Sequence, residues 1–147
     1  MNNKPKVAFV CIHNSCRSQI AEALGKYYAK DVFESYSAGT EIGHGINKDA
    51  VRLIKEIYGI DMEKTQHPKS VDELPEVDVK ISMGCDVSCP YVQAEIIQDW
   101  KLEDPTGRGD EFFRVVIGEI DRRIRALEES LKQALDPSEF DKKKLFC

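Results

Sequence analysis

The chain has 147 residues, with 21 Lys and Arg against 26 Asp and Glu and a formal net charge of -5 at neutral pH. That length suits one domain with a full hydrophobic core, and the acidic balance argues against a general nucleic-acid binder. No apolar run approaches membrane-spanning length and no N-terminal stretch resembles a signal peptide, so a cytoplasmic protein with no membrane partner is expected, in which five cysteines read as reactive thiols and not as a disulfide framework.

In chain order, Val7-Ala8-Phe9-Val10 is continuously apolar, the pattern of a parallel strand buried on both faces. Ile20, Ala21, Ala23, Leu24, Tyr27 and Tyr28 then recur at helical spacing. Between them lies Cys11-Ile12-His13-Asn14-Ser15-Cys16-Arg17-Ser18, a cysteine and an arginine separated by five residues. A strand-to-helix turn of this kind can converge its backbone N–H groups on an anion, with the positive end of the helix dipole behind them. Cys11 is the expected nucleophile, since the thiolate is the reactive form and cationic, helix-terminal surroundings favour it. Arg17 supplies a planar fork for two oxygens of a tetrahedral anion. Ser18 can donate its hydroxyl to the Cys11 sulfur, while Ile12, His13, Asn14, Ser15, Cys16 and Arg17 form the anion-binding cradle. Cys16 reads as a small packing residue, with a protective disulfide to Cys11 as the alternative.

Val32 to Ala38 is the expected second strand, stopped by Gly39, and Ser37-Ala38-Gly39-Thr40 should lie beside the cradle. Glu41 to Ile46 reads as a mobile loop. Asn47 is a candidate N-cap for a helix carrying Ala50, Val51, Ile54, Ile57 and Tyr58, with Gly59 at its C-terminal end. Val77, Val79, Ile81 and Met83 alternate with Asp78, Lys80 and Ser82, a third strand with one wetter face. Ile96, Ile97 and Trp100 favour a fourth strand within Gln93 to Leu102, entering Glu103-Asp104-Pro105. Phe112, Phe113, Val116, Ile117, Ile120, Ile124, Leu127 and Leu131 predict one long amphipathic helix. Residues 1–135 then make a single catalytic domain and 136–147 a charged tail. Strands alternating with helices give an α/β fold built on a parallel sheet.

In such a sheet the loops carrying Cys11, Cys85 and Asp104 gather on one edge. Asp104, on a turn restrained by Pro105, could protonate an oxygen leaving a tetrahedral anion. Cys85 and Cys89 share the short segment Met83-Gly84-Cys85-Asp86-Val87-Ser88-Cys89-Pro90. Two thiols there can pair with each other, and one can attack a sulfur on Cys11. A zinc site would want further ligands at finger spacing, and none is present. His13, His44 and His67 show no partner spacing, although His13 could shape the loop, and Cys147 has no evident role.

Cys11 to Arg17-Ser18, Gln19-Ile20-Ala21-Glu22, Ser37-Ala38-Gly39 and Asp104-Pro105 together resemble the low-molecular-weight protein tyrosine phosphatase superfamily over about residues 5 to 133. The paired thiols, and Gln19 where the phosphatases usually carry proline, are similar to its thiol-coupled arsenate reductases. The resemblance implies a four-stranded parallel sheet flanked by helices, no cofactor, and reduction of arsenate to arsenite through three cysteines. Cys11 would attack arsenate, Asp104 would protonate the departing oxygen, and Cys85 and Cys89 would carry the disulfide onward, matching the family's second and third cysteines by order. Thioredoxin or a low-molecular-weight thiol would be the reductant. Some relatives bind potassium through residues matching Asn14, Glu22 and Ser37, and no metal is assigned here. A tyrosine phosphatase is the alternative, weakened by Thr106-Gly107 where phosphatases present an aromatic residue. A non-catalytic redox or anion sensor is a further one.

Overall fold

The computed structural model describes residues 4–43, 45–84 and 92–134. Its elements are β1 (Lys6–Val10), α1 (Arg17–Ala29), β2 (Glu34–Ala38), α2 (Lys48–Tyr58), α3 (Met62–Thr65), a 3-10 turn (Val71–Glu73), β3 (Val79–Ser82), β4 (Ile96–Asp99) and α4 (Asp110–Ala134). All strand pairings are parallel, in the order β2-β1-β3-β4. The connection leaving β1 therefore runs to β2 on one side and that leaving β3 runs to β4 on the other, which opens a crevice at the carboxyl ends of β1 and β3. The expected fourth strand and long last helix both form.

Local chemistry sets the boundaries. Asn47 caps α2 by accepting from the Ala50 amide at 3.0 Å, and Gly59 ends it in the left-handed region, φ 74°, donating to the Lys55 carbonyl. The expected cap and stop are the ones used. α3 and the 3-10 turn were not expected, being too short to show a period.

The two faces of the sheet are covered differently. Val7, Phe9, Val79, Ile81 and Ile96 point into the main core with α1, α2 and α4. Each large apolar side chain buried there contributes roughly 1.5–3 kcal/mol. α1 lies so close to β2 that a Cβ on Gly25 would sit 2.6 Å from Ser35 Oγ. Across the sheet, Ala8, Val10 and Val77 are roofed by Tyr36, Val71, Leu74, Val92 and Ala94, drawn from strand edge, turn and extended chain. The alternation in β3 is corrected by this roof: Lys80 and Ser82, expected on a wetter face, are 8% and 4% exposed. Among the described residues, no helix is long and apolar enough to cross a membrane.

Candidate active site

The cradle begins where β1 ends. The Cys11 amide donates to the Ala38 carbonyl at 3.2 Å, extending the β1–β2 ladder by one residue before the chain turns. The loop's carbonyls are then drawn outward by the segment after β2. Ile12 O accepts from the Thr40 and Glu41 amides at 2.9 and 2.8 Å, His13 O from Gly43 at 3.3 Å, and Ser15 O from Asn47 at 2.7 Å. His13 Nδ1 also meets the Glu41 carbonyl at 2.9 Å, so it does shape the loop. A trans peptide with its carbonyl held one way turns its N–H the other way. The amides of residues 12–17 find no acceptor among the described residues, an arrangement able to receive an oxyanion. Thr40, Glu41, Gly43 and Asn47, in and beside the stretch expected to be mobile, thus form a strap that orients the cradle; His44 lies outside the described residues.

Gly39 makes the approach possible. A Cβ there would stand 2.5 Å from Ile12 O and 2.7 Å from Cys11 O, so the end of β2 does lie beside the cradle, as expected.

Asn14 adopts φ 52°, a left-handed conformation that asparagine tolerates better than most residues. Its buried side chain faces the protein, not an anion. Oδ1 accepts from the Lys69 amide at 2.9 Å and from Gln19 Nε2 at 3.0 Å, while Nδ2 donates to Ser18 Oγ at 2.9 Å. Ser18 Oγ also lies 2.9 Å from Cys11 Sγ, and once that sulfur is a thiolate the hydroxyl is the donor of this bond. The ladder continues through Gln66, whose Nε2 donates to Gln19 Oε1 at 2.8 Å and to the Gln19 carbonyl at 3.0 Å. No local signal in the sequence links Gln66 or Lys69 to the cradle, because they approach it across the fold.

Arg17 is held from two other strands' ends. Its Nη1 donates to the carbonyls of Met83 at 2.8 Å and Leu102 at 2.7 Å. Asp104 follows Leu102 closely, and its Oδ1 accepts from the Thr106 amide at 3.0 Å and hydroxyl at 2.7 Å. Partial burial pushes the Asp104 carboxyl up, but the Thr106 donors, with the charges of Arg17 and His13, outweigh that and hold it below the usual carboxylate range. Cys16 is different. Burial, reinforced by the Asp104 charge, pushes its thiol up to about 12, so it is protonated at neutral pH and suited to packing.

These groups surround a cavity of about 560 Å³ lined by Cys11, Cys16, Arg17, Gly84, Asp104 and Thr106, together with Ile12, His13 and Ser15. No Phe, Tyr or Trp is among the described lining residues. Cys11, Arg17, Ser18 and Asp104 thus gather at one sheet edge. Cys85 and Cys89 lie outside the described residues, as does Cys147; Gly84, immediately before Cys85, faces the cavity.

Glu22 tests the potassium set. This buried carboxylate accepts from Ser37 Oγ at 2.5 Å and pairs with Lys26 Nζ at 2.6 Å and Lys69 Nζ at 3.6 Å. Lys69 Nζ also donates to the Ser37 carbonyl at 3.1 Å. Two ammonium groups already neutralise the one anionic ligand, so these residues do not fit a further cation.

A family model described as low molecular weight phosphotyrosine protein phosphatase matches residues 6–88. An arsenate reductase of Brevibacillus brevis is 37% identical over 134 residues, spanning 88% of this chain and 98% of that protein. A glutaredoxin arsenate reductase of Synechocystis sp. is 39% identical over 126 residues, spanning 83% and 95%. Among solved structures, an arsenate reductase in the phosphate binding state aligns with TM-score 0.77 at 36% identity, covering 86% of this chain and 98% of that one. A low molecular weight protein tyrosine phosphatase from T. tengcongensis aligns with TM-score 0.72 at 28% identity, covering 86% and 99%. Sheet order, cradle and these likenesses agree: the chain belongs to the low molecular weight phosphotyrosine protein phosphatase family, in its arsenate reductase branch.

Proposed function

We propose that this chain reduces arsenate to arsenite, with residues 1–135 as the catalytic unit and 136–147 as a charged tail. The observation that carries the reading is the cradle itself: amides of residues 12–17 with no acceptor among the described residues, beside the Cys11 sulfur, in a cavity whose described lining holds no aromatic side chain. Among the described lining residues a phosphotyrosine ring finds no aromatic side chain to flank it, whereas a small tetrahedral anion finds backbone donors. The resemblance to arsenate reductases supports the same substrate.

In the first step the Cys11 thiolate, supported by the Ser18 hydroxyl, attacks arsenic and forms a sulfur–arsenic bond. Backbone amides and the free edge of Arg17 hold the oxygens. One arsenate oxygen leaves as water, taking its last proton from Asp104. That carboxyl is ionised at neutral pH in the empty site, and the charge of the incoming anion raises its proton affinity when the site fills. In the second step a thiolate of the Cys85/Cys89 pair attacks the Cys11 sulfur. The sulfur–arsenic electron pair stays with arsenic, taking As(V) to As(III), while two thiols become a disulfide. The remaining thiol resolves that disulfide, leaving Cys85–Cys89 oxidised. Thioredoxin or a similar thiol donor returns the pair to its reduced form; solved and curated relatives are named thioredoxin-dependent and glutaredoxin arsenate reductases. A reducing cytoplasm suits such thiols.

The test is arsenite production with thioredoxin and its reductase, run beside hydrolysis of an aryl phosphate. Turnover of arsenate that is lost in Cys85→Ser and Cys89→Ser, with aryl phosphate hydrolysis retained, is the expected result. Efficient aryl phosphate hydrolysis with no arsenate turnover on any thiol donor would make the chain a phosphatase. Mass mapping of disulfides after one turnover without reductant gives the order of the relay: Cys85–Cys89 is the expected product.

A further inference from the structure

Met83 directly follows β3 and Leu102 lies three residues past β4, and their carbonyls share one donor group. Nη1 of Arg17 gives one hydrogen to each, at 2.8 and 2.7 Å. The Leu102 amide also donates to the Met83 carbonyl at 3.2 Å, so the two strand ends and the guanidinium form a closed knot. The three remaining N–H groups of Arg17 have no acceptor among the described residues, and Arg17 lines the cavity. A guanidinium pinned through one nitrogen presents its opposite edge in a fixed orientation, which removes most of the rotational cost of binding two oxygens.

Gly84 is the residue that lets the knot close. It adopts φ 111°, and a Cβ there would stand 2.5 Å from Leu102 O, 2.9 Å from Leu102 N and 3.1 Å from Arg17 Nη1. Two of those neighbours are backbone atoms that cannot swing aside. Gly84 is also the residue directly before Cys85.

We propose that Gly84 is a positioning residue for the reaction, and that Arg17 is a two-sided clamp through which an oxyanion in the cradle and the strand end leading to Cys85 stabilise each other. The proposal rests on the oxyanion reading of the cradle. Because such coupling is reciprocal, anything that steadies the free edge of Arg17 steadies Met83, Gly84 and Leu102, and anything that displaces those carbonyls weakens the anion. Substrate occupancy and the launch point of the thiol segment then rise and fall together.

Amide hydrogen exchange on the reduced wild-type chain, with and without inorganic phosphate, reads this directly. Phosphate should slow exchange at residues 12–17 and, by about fivefold or more, at Gly84 and at residues 102–103, as coupled sites typically require. Slowing confined to residues 12–17 overturns the clamp. In Gly84→Ala, phosphate affinity should fall by about fivefold or more while β1 and α1 keep their wild-type protection; unchanged affinity in a folded Gly84→Ala also overturns it. Should that variant not fold, the wild-type experiment decides alone. Coupled protection in a chain that makes no arsenite would keep the clamp and remove the reductase reading, whereas no phosphate protection anywhere would remove both.

Discussion

The cradle and the brace at Asp121 are both polar clusters set into the same core, and they handle their hydrogen bonds in opposite ways. At the brace, both oxygens of the central carboxylate are paired. Asp121 Oδ2 accepts from Tyr28 at 2.7 Å and Tyr58 at 2.6 Å, and Oδ1 accepts from Arg125 Nε at 2.8 Å, tying α1, α2 and α4 together. At the cradle the carbonyls are satisfied and the amides of residues 12–17 are not. A carboxylate paired on both oxygens contributes to stability, while a loop holding amides in reserve keeps them for a ligand.

Removing the nucleophile breaks the cradle's half of this contrast most severely. Cys11→Ser should cost on the order of 10⁴-fold or more in both arsenate reduction and aryl phosphate hydrolysis, whereas Cys16→Ala should stay within about tenfold of wild type in steady-state assays. A middle-sized effect is expected of Ser18→Ala, which deletes the hydroxyl facing Cys11 Sγ. Hydrogen bonds to charged groups contribute about 1.5–3 kcal/mol, so kcat/KM for either substrate should fall roughly 10–100-fold.

A smaller effect tests the proton donor. Thr106→Val deletes one of the donors that hold Asp104 below its usual range. The carboxyl should then keep its proton to higher pH, and the limb of the pH–rate profile that reports the acid should move upward; an unmoved limb would separate Asp104 from proton delivery. The smallest kinetic effect belongs to the brace. Asp121→Asn should leave the arsenate KM within about twofold, yet lower stability at pH 7 by about 1–3 kcal/mol in urea unfolding. Burial pushes the Asp121 carboxyl up, but Tyr58, Tyr28 and Arg125 outweigh it and hold it below the usual range. Its contribution is therefore present above the unfolded carboxylate range, near pH 4, and lost as pH falls through the lower folded value. Wild type and Asp121→Asn should converge in acid.

The sequence revealed what is local. Asn47 and Gly59 mark α2 because a cap and a left-handed stop depend on neighbouring residues alone. The apolar run of β1 and the Cys11-to-Ser18 spacing placed a strand–loop–helix correctly, and Asp104 reaches the same edge because the sheet is parallel. What escaped depends on distant partners. Lys80 and Ser82 looked solvent-facing because their roof, around Val71, Leu74, Val92 and Ala94, has no periodicity to announce it. α1 read as amphipathic, yet Ser18, Gln19 and Glu22 are buried, since their partners Asn14, Gln66, Ser37 and Lys69 come from other parts of the chain. The strap has a role that its glycines did not announce: the amides of Thr40, Glu41, Gly43 and Asn47 hold the cradle carbonyls.

The ladder from Asn14 through Gln19 to Gln66 fixes the shape of the anion site from behind, and the strap fixes it from the side. The hydrogen bonds of both, as described, join residues outside 85–91. Evolution can therefore rewrite that segment, adding thiols or removing them, without rebuilding the pocket that grips the anion. Under the proposed relay, a scaffold divided in this way is modular: one part recognises a tetrahedral oxyanion, and an interchangeable part decides whether the captured atom is handed to water or to sulfur.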